Sequence, residues 1–250
     1  MPTRTEKSKP KESPEEHPAP TPTFGILFQL EDIAVNGRKV AFEVLKSVLK
    51  DQKVELPAFL FSRYCLYSAP QVYLPDLLET LGSRKSPVNK LIEEASDKIN
   101  ARLSSNSIEL AAGLNKILQE ARERNLAAAT ITALPETTAQ AILAKTGLER
   151  VGVRLFAYPD TDKVFPGGNI WLKTARALTL KPHNCAVLTG NVTACKSALS
   201  ADMRCVAIPD EFTSFQDYGG AFMMLEALDE IGPRELLDAL FPAPGKRGAG

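Results

Sequence analysis

The chain has 250 residues, 44% of them hydrophobic, which is enough to bury a sizeable core in one domain with a subdomain. Thirty basic residues balance thirty acidic ones, and this balance argues against a protein that binds nucleic acid or an anionic membrane. With no apolar run of membrane-spanning length and no apolar signal segment near the N-terminus, we expect a protein that is neither inserted in a membrane nor secreted.

The cysteines and histidines point away from metal and triad chemistry. Neither of the two histidines has suitable neighbours, because His17 lies in a proline-rich segment and His183 in a polar turn. The four cysteines have no C-x-x-C spacing and lie among apolar residues: Cys65, Cys185, Cys195 and Cys205. They predict buried free thiols in a reducing cytoplasm and no metal site.

Both ends of the chain have a composition typical of disorder. Residues 1–23 are rich in proline and charge and contain almost nothing to bury, so they cannot offset the entropy cost of ordering. Residues 242–250 are similar in character. We therefore predict a disordered tail at each end.

The first ordered stretch is a buried strand with polar groups after it. Residues 24–28 carry no polar side chain, which is typical of a strand buried on both faces. Gln29, Glu31 and Asp32 follow directly. Because ligands bind at the carboxyl ends of strands in open α/β sheets, we expect any functional site here.

The pattern then becomes helical. Between residues 37 and 106, Pro57, Pro70 and Pro87 each precede a segment with apolar residues at helical spacing. From residue 107 onward, helices alternate with strands, which indicates a parallel sheet. The predicted elements of that part are helix 108–124, strand 127–132, a helix between Pro135 and Gly147, strand 151–158, helix 169–180, strand 185–188, helix 192–199, strand 204–208, strand 222–225 and helix 233–240.

This order resembles the beta-phosphoglucomutase-like branch of the haloacid dehalogenase-like superfamily, over roughly residues 24–240. The stretches that carry the resemblance are the first strand with its polar end, Gly147-Leu148, Pro182 with the strand 185–188, and residues 216–221. The resemblance implies an α/β fold, a Rossmann-like parallel sheet core with a small helical cap inserted after the first strand. The core then comprises residues 24–36 and 107–241, and the cap residues 37–106.

The catalytic positions implied by the resemblance are degenerate. The first motif of the superfamily supplies an Asp nucleophile, a second Asp as acid/base and a Gly, and here these positions hold Gln29, Glu31 and Asp32. Thr132 matches the Ser or Thr of the second motif. Phe165 stands where the third motif has a Lys, with Lys163 two residues away. An amide at position 29 has no anionic oxygen to attack phosphorus.

The fourth motif is also changed. It ends its strand with the acids that hold Mg²⁺, whereas this chain has Thr189-Gly190-Asn191. We expect no metal and no cofactor, with Mg²⁺ only if Glu31 and Asp32 support an enzyme. The apolar ring of Phe165 has two alternatives: it either fills the old phosphate pocket or points outward as an interface anchor.

The sequence therefore predicts a haloacid dehalogenase-like pseudo-phosphatase, a pseudoenzyme that binds a small-molecule ligand or a protein partner. Two alternatives remain open: a diverged phosphatase or phosphomutase that uses Glu31 and Asp32, and a structural subunit of a larger assembly. No catalytic residue is expected. The candidate ligand-binding residues are Gln29, Glu31, Asp32, Thr132, Thr189 and Asn191.

Overall fold

A computed structural model describes residues 21–66, 69–83, 87–159 and 165–242. Residues 1–20 and 243–250 of the two predicted tails lie outside these ranges, and so does Lys163. Within the described part of the chain, no helix combines the length and the apolar character needed to cross a membrane.

The described strands form one six-stranded parallel sheet in the order β3-β2-β1-β4-β5-β6. The strands are β1 Gly25–Gln29, β2 Ala127–Thr132, β3 Arg154–Ala157, β4 Cys185–Thr189, β5 Arg204–Ala207 and β6 Met223–Met224. All five residues of β1 are buried, and the strand lies between β2 and β4. The predicted α/β parallel sheet with a doubly buried first strand is confirmed.

Four helices follow one another between β1 and β2. They are α1 Gly37–Asp51, α2 Ala58–Tyr64, α3 Pro70–Thr80 and α4 Val88–Leu103. Helices α2, α3 and α4 begin at or directly after the three prolines that predicted them, because proline fits the first helical turn, where its missing N–H costs nothing. The boundaries of a separate cap at residues 37 and 106 stay a prediction.

The remaining helices alternate with the strands. They are α5 Leu114–Glu123, α6 Glu136–Thr146, α7 Gly168–Ala177, α8 Val192–Ser200 and α9 Pro233–Leu240. Successive side chains of a strand face opposite sides of the sheet, and β1 follows this rule. Ile26 and Phe28 pack into a core that contains the first four helices with α5, α6 and α9, whereas Leu27 packs toward α7 and α8.

One predicted helix is shorter than its pattern suggested. Helix 108–124 was expected from apolar spacing, but α5 begins only at Leu114. Gly113 has φ +82°, a left-handed conformation that glycine adopts without strain and that interrupts a helix. The N–H of Ala111 donates to the carbonyl of Ala34 at 2.8 Å, which ties this segment to the stretch that follows β1 instead.

Two other boundaries differ for the same physical reason. The predicted strand 151–158 is confined to β3, because Gly152 has φ +83°. The predicted helix 169–180 ends at Ala177, and Thr179 follows with φ +61°. The final strand, predicted over residues 222–225, is only the pair Met223–Met224.

Candidate functional site

A wide helical turn of the π type, Leu30–Ala34, follows β1. The sequence did not predict this turn. Its residues Leu30, Ile33 and Ala34 are buried and anchor the turn. Its two acidic residues, Glu31 and Asp32, therefore lie at the carboxyl end of β1. Glu31 contacts the end of β2 and Asp32 contacts the end of β4, on either side of β1.

Three hydrogen-bond donors contact the Glu31 carboxyl group, which also lines the cavity described below. The Gln29 side-chain N–H donates to Oε1 at 3.0 Å, and the Thr132 hydroxyl donates to Oε2 at 2.7 Å. The backbone N–H of Ala133 lies 3.5 Å from Oε1. Burial raises the pKa of Glu31 above its ordinary value, although the hydrogen bonds from Gln29 and Thr132 oppose that shift. The carboxyl is therefore easier to protonate than an exposed glutamate.

The side-chain amide of Gln29 is hydrogen-bonded through its nitrogen alone among the described residues. Its amide N–H₂ faces Glu31, while its carbonyl oxygen Oε1 is buried and has no hydrogen-bond partner among the described residues. A buried acceptor without a donor costs roughly 1–3 kcal/mol. The residue at the predicted nucleophile position is thus a buried amide with one unsatisfied oxygen.

Asp32 is held on the other side of the strand. Its Oδ2 accepts hydrogen bonds from the Thr189 hydroxyl at 2.8 Å and from the Gly190 backbone N–H at 3.0 Å. Its Oδ1 lies 2.5 Å from Nη2 of Arg38. That contact is an ion pair without the alignment of a hydrogen bond, because Oδ1 has no hydrogen-bond partner in the described chain. The Asp32 side chain is only 1% exposed.

Arg38, on the first turn of α1, also contacts a second carboxylate. Its Nε donates to Oδ2 of Asp210 at 2.6 Å. Asp210 is fixed in turn, because its Oδ1 accepts from the Phe212 N–H at 2.9 Å and the Thr213 hydroxyl at 3.0 Å. We call Asp32, Arg38 and Asp210 the ion triad. Burial lowers the pKa of Arg38, but the two carboxylates raise it by more, so the guanidinium stays charged.

Two glycines allow a close approach of neighbouring groups at this site, Gly190 beside the ion triad and Gly37 beside Glu31. A Cβ at Gly190 would lie 2.6 Å from Nη2 of Arg38 and 3.0 Å from Oδ1 of Asp32, and it would also collide with the Ile208 carbonyl. A Cβ at Gly37 would collide with the backbone of Glu31. Arg38 therefore occupies space that a side chain at position 190 would need.

Arg38 and Asp210 were missed by sequence reasoning. A charged residue at the start of an amphipathic helix usually belongs to its solvated face, and Asp210 is 172 positions away along the chain. One signal was available, since the fourth motif, by resemblance, has an acid where this chain has Gly190. In this chain the backbone N–H of Gly190 instead donates to Asp32, which belongs to the π turn after β1.

A cavity of about 160 Å³ lies between the strand ends and the first four helices. One end is polar and is formed by Gln29, Glu31, Asp32 and Arg38. The rest of the lining is mainly apolar or aromatic and includes Ala41, Phe61, Leu66, Tyr73, Ile99, Leu103, Leu134 and Phe165. The cavity therefore combines a compact polar end with an apolar body.

Phe165 points inward. Its side chain is only 4% exposed and belongs to the cluster that contains Ile131 and Trp171. Its ring centroid lies 6.5 Å from that of Tyr158, and the residue lines the same cavity as Gln29. The alternative of an outward interface anchor is wrong, because a ring this deeply buried has no surface to offer a partner.

The other three predicted ligand contacts, Thr132, Thr189 and Asn191, are not among the residues that line the cavity. Thr132 and Thr189 are fully buried and donate their hydroxyls to Glu31 and Asp32. The Asn191 side chain caps α8, since its Oδ1 accepts from the backbone N–H groups of Thr193 at 2.8 Å and Ala194 at 3.0 Å. These residues shape the site, and their role as ligand contacts stays a prediction.

The residues present do not fit a magnesium site. Mg²⁺ requires octahedral oxygen ligands and usually one or two free carboxylates. Both oxygens of Glu31 accept hydrogen bonds, and the Asp32 carboxylate is shared by Thr189, Gly190 and Arg38. Across the described ranges, no group of three or more His, Cys, Asp or Glu side chains is placed to hold a metal.

Comparison with known proteins identifies the fold. No protein-family model matches the chain. The curated protein CbbY of Cereibacter sphaeroides is 24% identical over 160 residues, covering 62% of this chain and 69% of that protein. The crystal structure of CbbY from Rhodobacter sphaeroides in complex with phosphate aligns with a TM-score of 0.68 at 16% identity, over 84% of this chain and 96% of that one.

Two further solved structures agree. A haloacid dehalogenase hydrolase of family IA, variant 3, from Entamoeba histolytica aligns with a TM-score of 0.70 at 18% identity, covering 87% of this chain and 99% of that one. The beta-phosphoglucomutase of Clostridium difficile aligns with a TM-score of 0.68 at 12% identity, covering 87% and 97%. The chain has the haloacid dehalogenase-like fold. The predicted resemblance to the haloacid dehalogenase-like phosphatases is therefore confirmed at the level of the fold.

The raised pKa of Glu31 predicts how the stability of the protein depends on pH. Between the ordinary glutamate pKa and the raised value, the folded protein holds a proton on Glu31 that the unfolded chain has released. The contribution of this proton to stability is therefore complete below the ordinary glutamate pKa. It is lost as the pH rises through the raised value. We expect Glu31→Gln to melt higher than the parent at alkaline pH, with the gap closing in acid. Each kcal/mol corresponds to about 2–4 °C in a chain of this size.

The matched control is Glu93→Gln, at an exposed position on α4. Its melting curve should follow that of the parent at every pH. A Glu31→Gln protein that is less stable than the parent at alkaline pH would show that the carboxylate is needed in its charged form.

Proposed function

We propose that this protein is a non-catalytic member of the haloacid dehalogenase-like fold, a pseudo-phosphatase that binds a small molecule between its strand ends and its first four helices. The observation that carries the proposal is Gln29. It stands at the end of the central strand, where the resemblance implies an Asp nucleophile, and its amide N–H₂ is bonded to Glu31. An amide cannot form the aspartyl-phosphate on which covalent catalysis depends.

The distribution of charge supports the same proposal. The single cation at the polar end of the cavity, among the described lining residues, is Arg38, and it is already paired with Asp32 and Asp210. Phe165 supplies an apolar ring where the resemblance implies a Lys. A phosphate dianion would therefore meet carboxyl groups and a neutralised guanidinium, which is the reverse of what stabilises a transferring phosphoryl group.

We favour a small-molecule ligand over a protein partner. Gln29, Glu31 and Asp32 line a mainly apolar cavity instead of an exposed face, and such cavities are the usual sites of small ligands. We further propose a reducing compartment such as the cytoplasm, because all four cysteines are buried and free.

Activity assays on the purified full chain test the proposal. With Mg²⁺ and small phosphomonoesters such as 4-nitrophenyl phosphate, we expect no turnover above the buffer background, because the nucleophile is missing. Glu31→Ala, Asp32→Ala and the surface control Glu93→Ala should give the same background rate. The proposal fails if the parent turns over steadily and Glu31→Ala or Asp32→Ala, but not Glu93→Ala, abolishes that turnover.

A further inference from the structure

Resting on the proposed function above, we propose that the cavity selects a compact aromatic molecule with one hydrogen-bond-donating head group, neutral or cationic, and that it excludes organic anions. The volume of the cavity sets the first limit. At about 160 Å³ it is close to the apolar cavity of about 150 Å³ that holds one benzene ring. The part of the ligand held inside the cavity is therefore one ring or a group of similar size.

The walls define the body of this ligand. The aromatic rings of Phe61, Tyr73 and Phe165 and the aliphatic side chains of Ile99 and Leu134 line the cavity. Each of these five residues except Leu134 is at least nine-tenths buried. Such a lining favours an apolar ring and offers little compensation for the desolvation of a polar one.

The polar end defines the head group. The Gln29 carbonyl oxygen is a buried acceptor that no described residue satisfies, and Glu31 beside it presents carboxyl oxygens. Tyr73, whose hydroxyl makes no hydrogen bond within the described ranges, lines the same cavity. A donor such as an alcohol O–H or an ammonium N–H matches acceptors of this kind.

The charge balance excludes anions. Arg38 is the sole basic side chain in the described lining, and its charge is cancelled by the carboxylates of Asp32 and Asp210. A carboxylate or phosphate on the ligand would lose its hydration and, among the described lining residues, gain no free cation. Burying an unpaired charge is among the largest penalties in a protein interior.

A head-group series on one scaffold tests the proposal. Benzyl alcohol, benzylamine, phenylacetate and benzyl phosphate share the phenylmethyl group and differ in their polar end. Their dissociation constants can be measured by ligand-observed NMR with the purified full chain. We expect the alcohol and the amine to bind, and both anions to bind at least about tenfold more weakly, the ratio that corresponds to 1.4 kcal/mol.

Two variants assign the binding to this cavity. Ala41→Leu fills the cavity, and binding of the alcohol should be lost, whereas Ala101→Leu, at an exposed position of α4, should leave it unchanged. Gln29→Leu removes the unpartnered carbonyl oxygen of Gln29 and should weaken binding of the alcohol several-fold. This second variant tests the proposal even if Ala41→Leu does not fold.

The outcomes separate this proposal from the one it rests on. If benzyl phosphate or phenylacetate binds as tightly as the alcohol without being turned over, the ligand class is wrong and the pseudo-phosphatase proposal stands. Absence of binding by all four molecules, or binding that survives both Ala41→Leu and Gln29→Leu, also overturns the inference. Hydrolysis of benzyl phosphate that Glu31→Ala abolishes would overturn the proposed function itself.

Discussion

Replacing Arg38 by methionine is expected to lower the free energy of unfolding by about 3–5 kcal/mol, as found when one partner of a buried ion pair is removed. The Arg38 side chain is 11% exposed and that of Asp32 is 1% exposed. Without the guanidinium, the Asp32 carboxylate would keep two hydrogen bonds but lose its counter-charge in a buried position. Methionine preserves the length and the helix propensity of the side chain, so the loss reports on charge.

The matched control is Arg102→Met on α4. Arg102 lies 2.5 Å from Glu43, the same separation as in the Arg38–Asp32 pair, but its side chain is 50% exposed and that of Glu43 39%. An exposed pair contributes about 0–1 kcal/mol. Chemical denaturation of both variants measures the difference. Equal losses from the two variants would show that the ion triad is an ordinary surface feature.

The second large effect is expected for Phe165→Ala, which should lower the free energy of unfolding by about 3–5 kcal/mol. The ring is buried against the cluster that contains Ile131 and Trp171, and it forms part of the cavity wall. Its removal takes away apolar contacts and enlarges the cavity, and both changes act in the same direction.

Phe215→Ala is the control for this variant, because the Phe215 side chain is 70% exposed. Substitutions at such surface positions usually change stability by no more than about 0.5 kcal/mol. Thermal or urea melting of the two variants gives the comparison. A Phe165→Ala protein as stable as Phe215→Ala would mean that the ring does not support the wall of the cavity.

Much of the fold was predictable because strong local patterns coincide with burial. The run before Gln29 and the strand 127–132 are both buried, and prolines or glycines mark several helix ends. The misplaced boundaries have another origin. Thr179 takes up a left-handed conformation that is rare for a β-branched residue, and nothing in its local sequence indicates this.

The site was only half predictable. Gln29, Glu31 and Asp32 adjoin a recognisable strand, so their shared location follows from the topology of a parallel sheet. The ion triad depends on long-range contacts from Arg38 on α1 to Asp210 after β5. A single sequence shows Arg38 only as a charge on a helix, and the space that Gly190 leaves for it becomes visible only in three dimensions.

We propose that the protein's own guanidinium, and not a metal ion, balances the carboxylates of Asp32 and Asp210. Thermal melting of the parent in increasing MgCl₂, compared with NaCl at matched ionic strength, tests it most directly, because a ligand stabilises only the state that binds it. We predict the same melting temperature in both salts. A melting temperature that climbs steadily with millimolar Mg²⁺, and not with Na⁺, would contradict the claim.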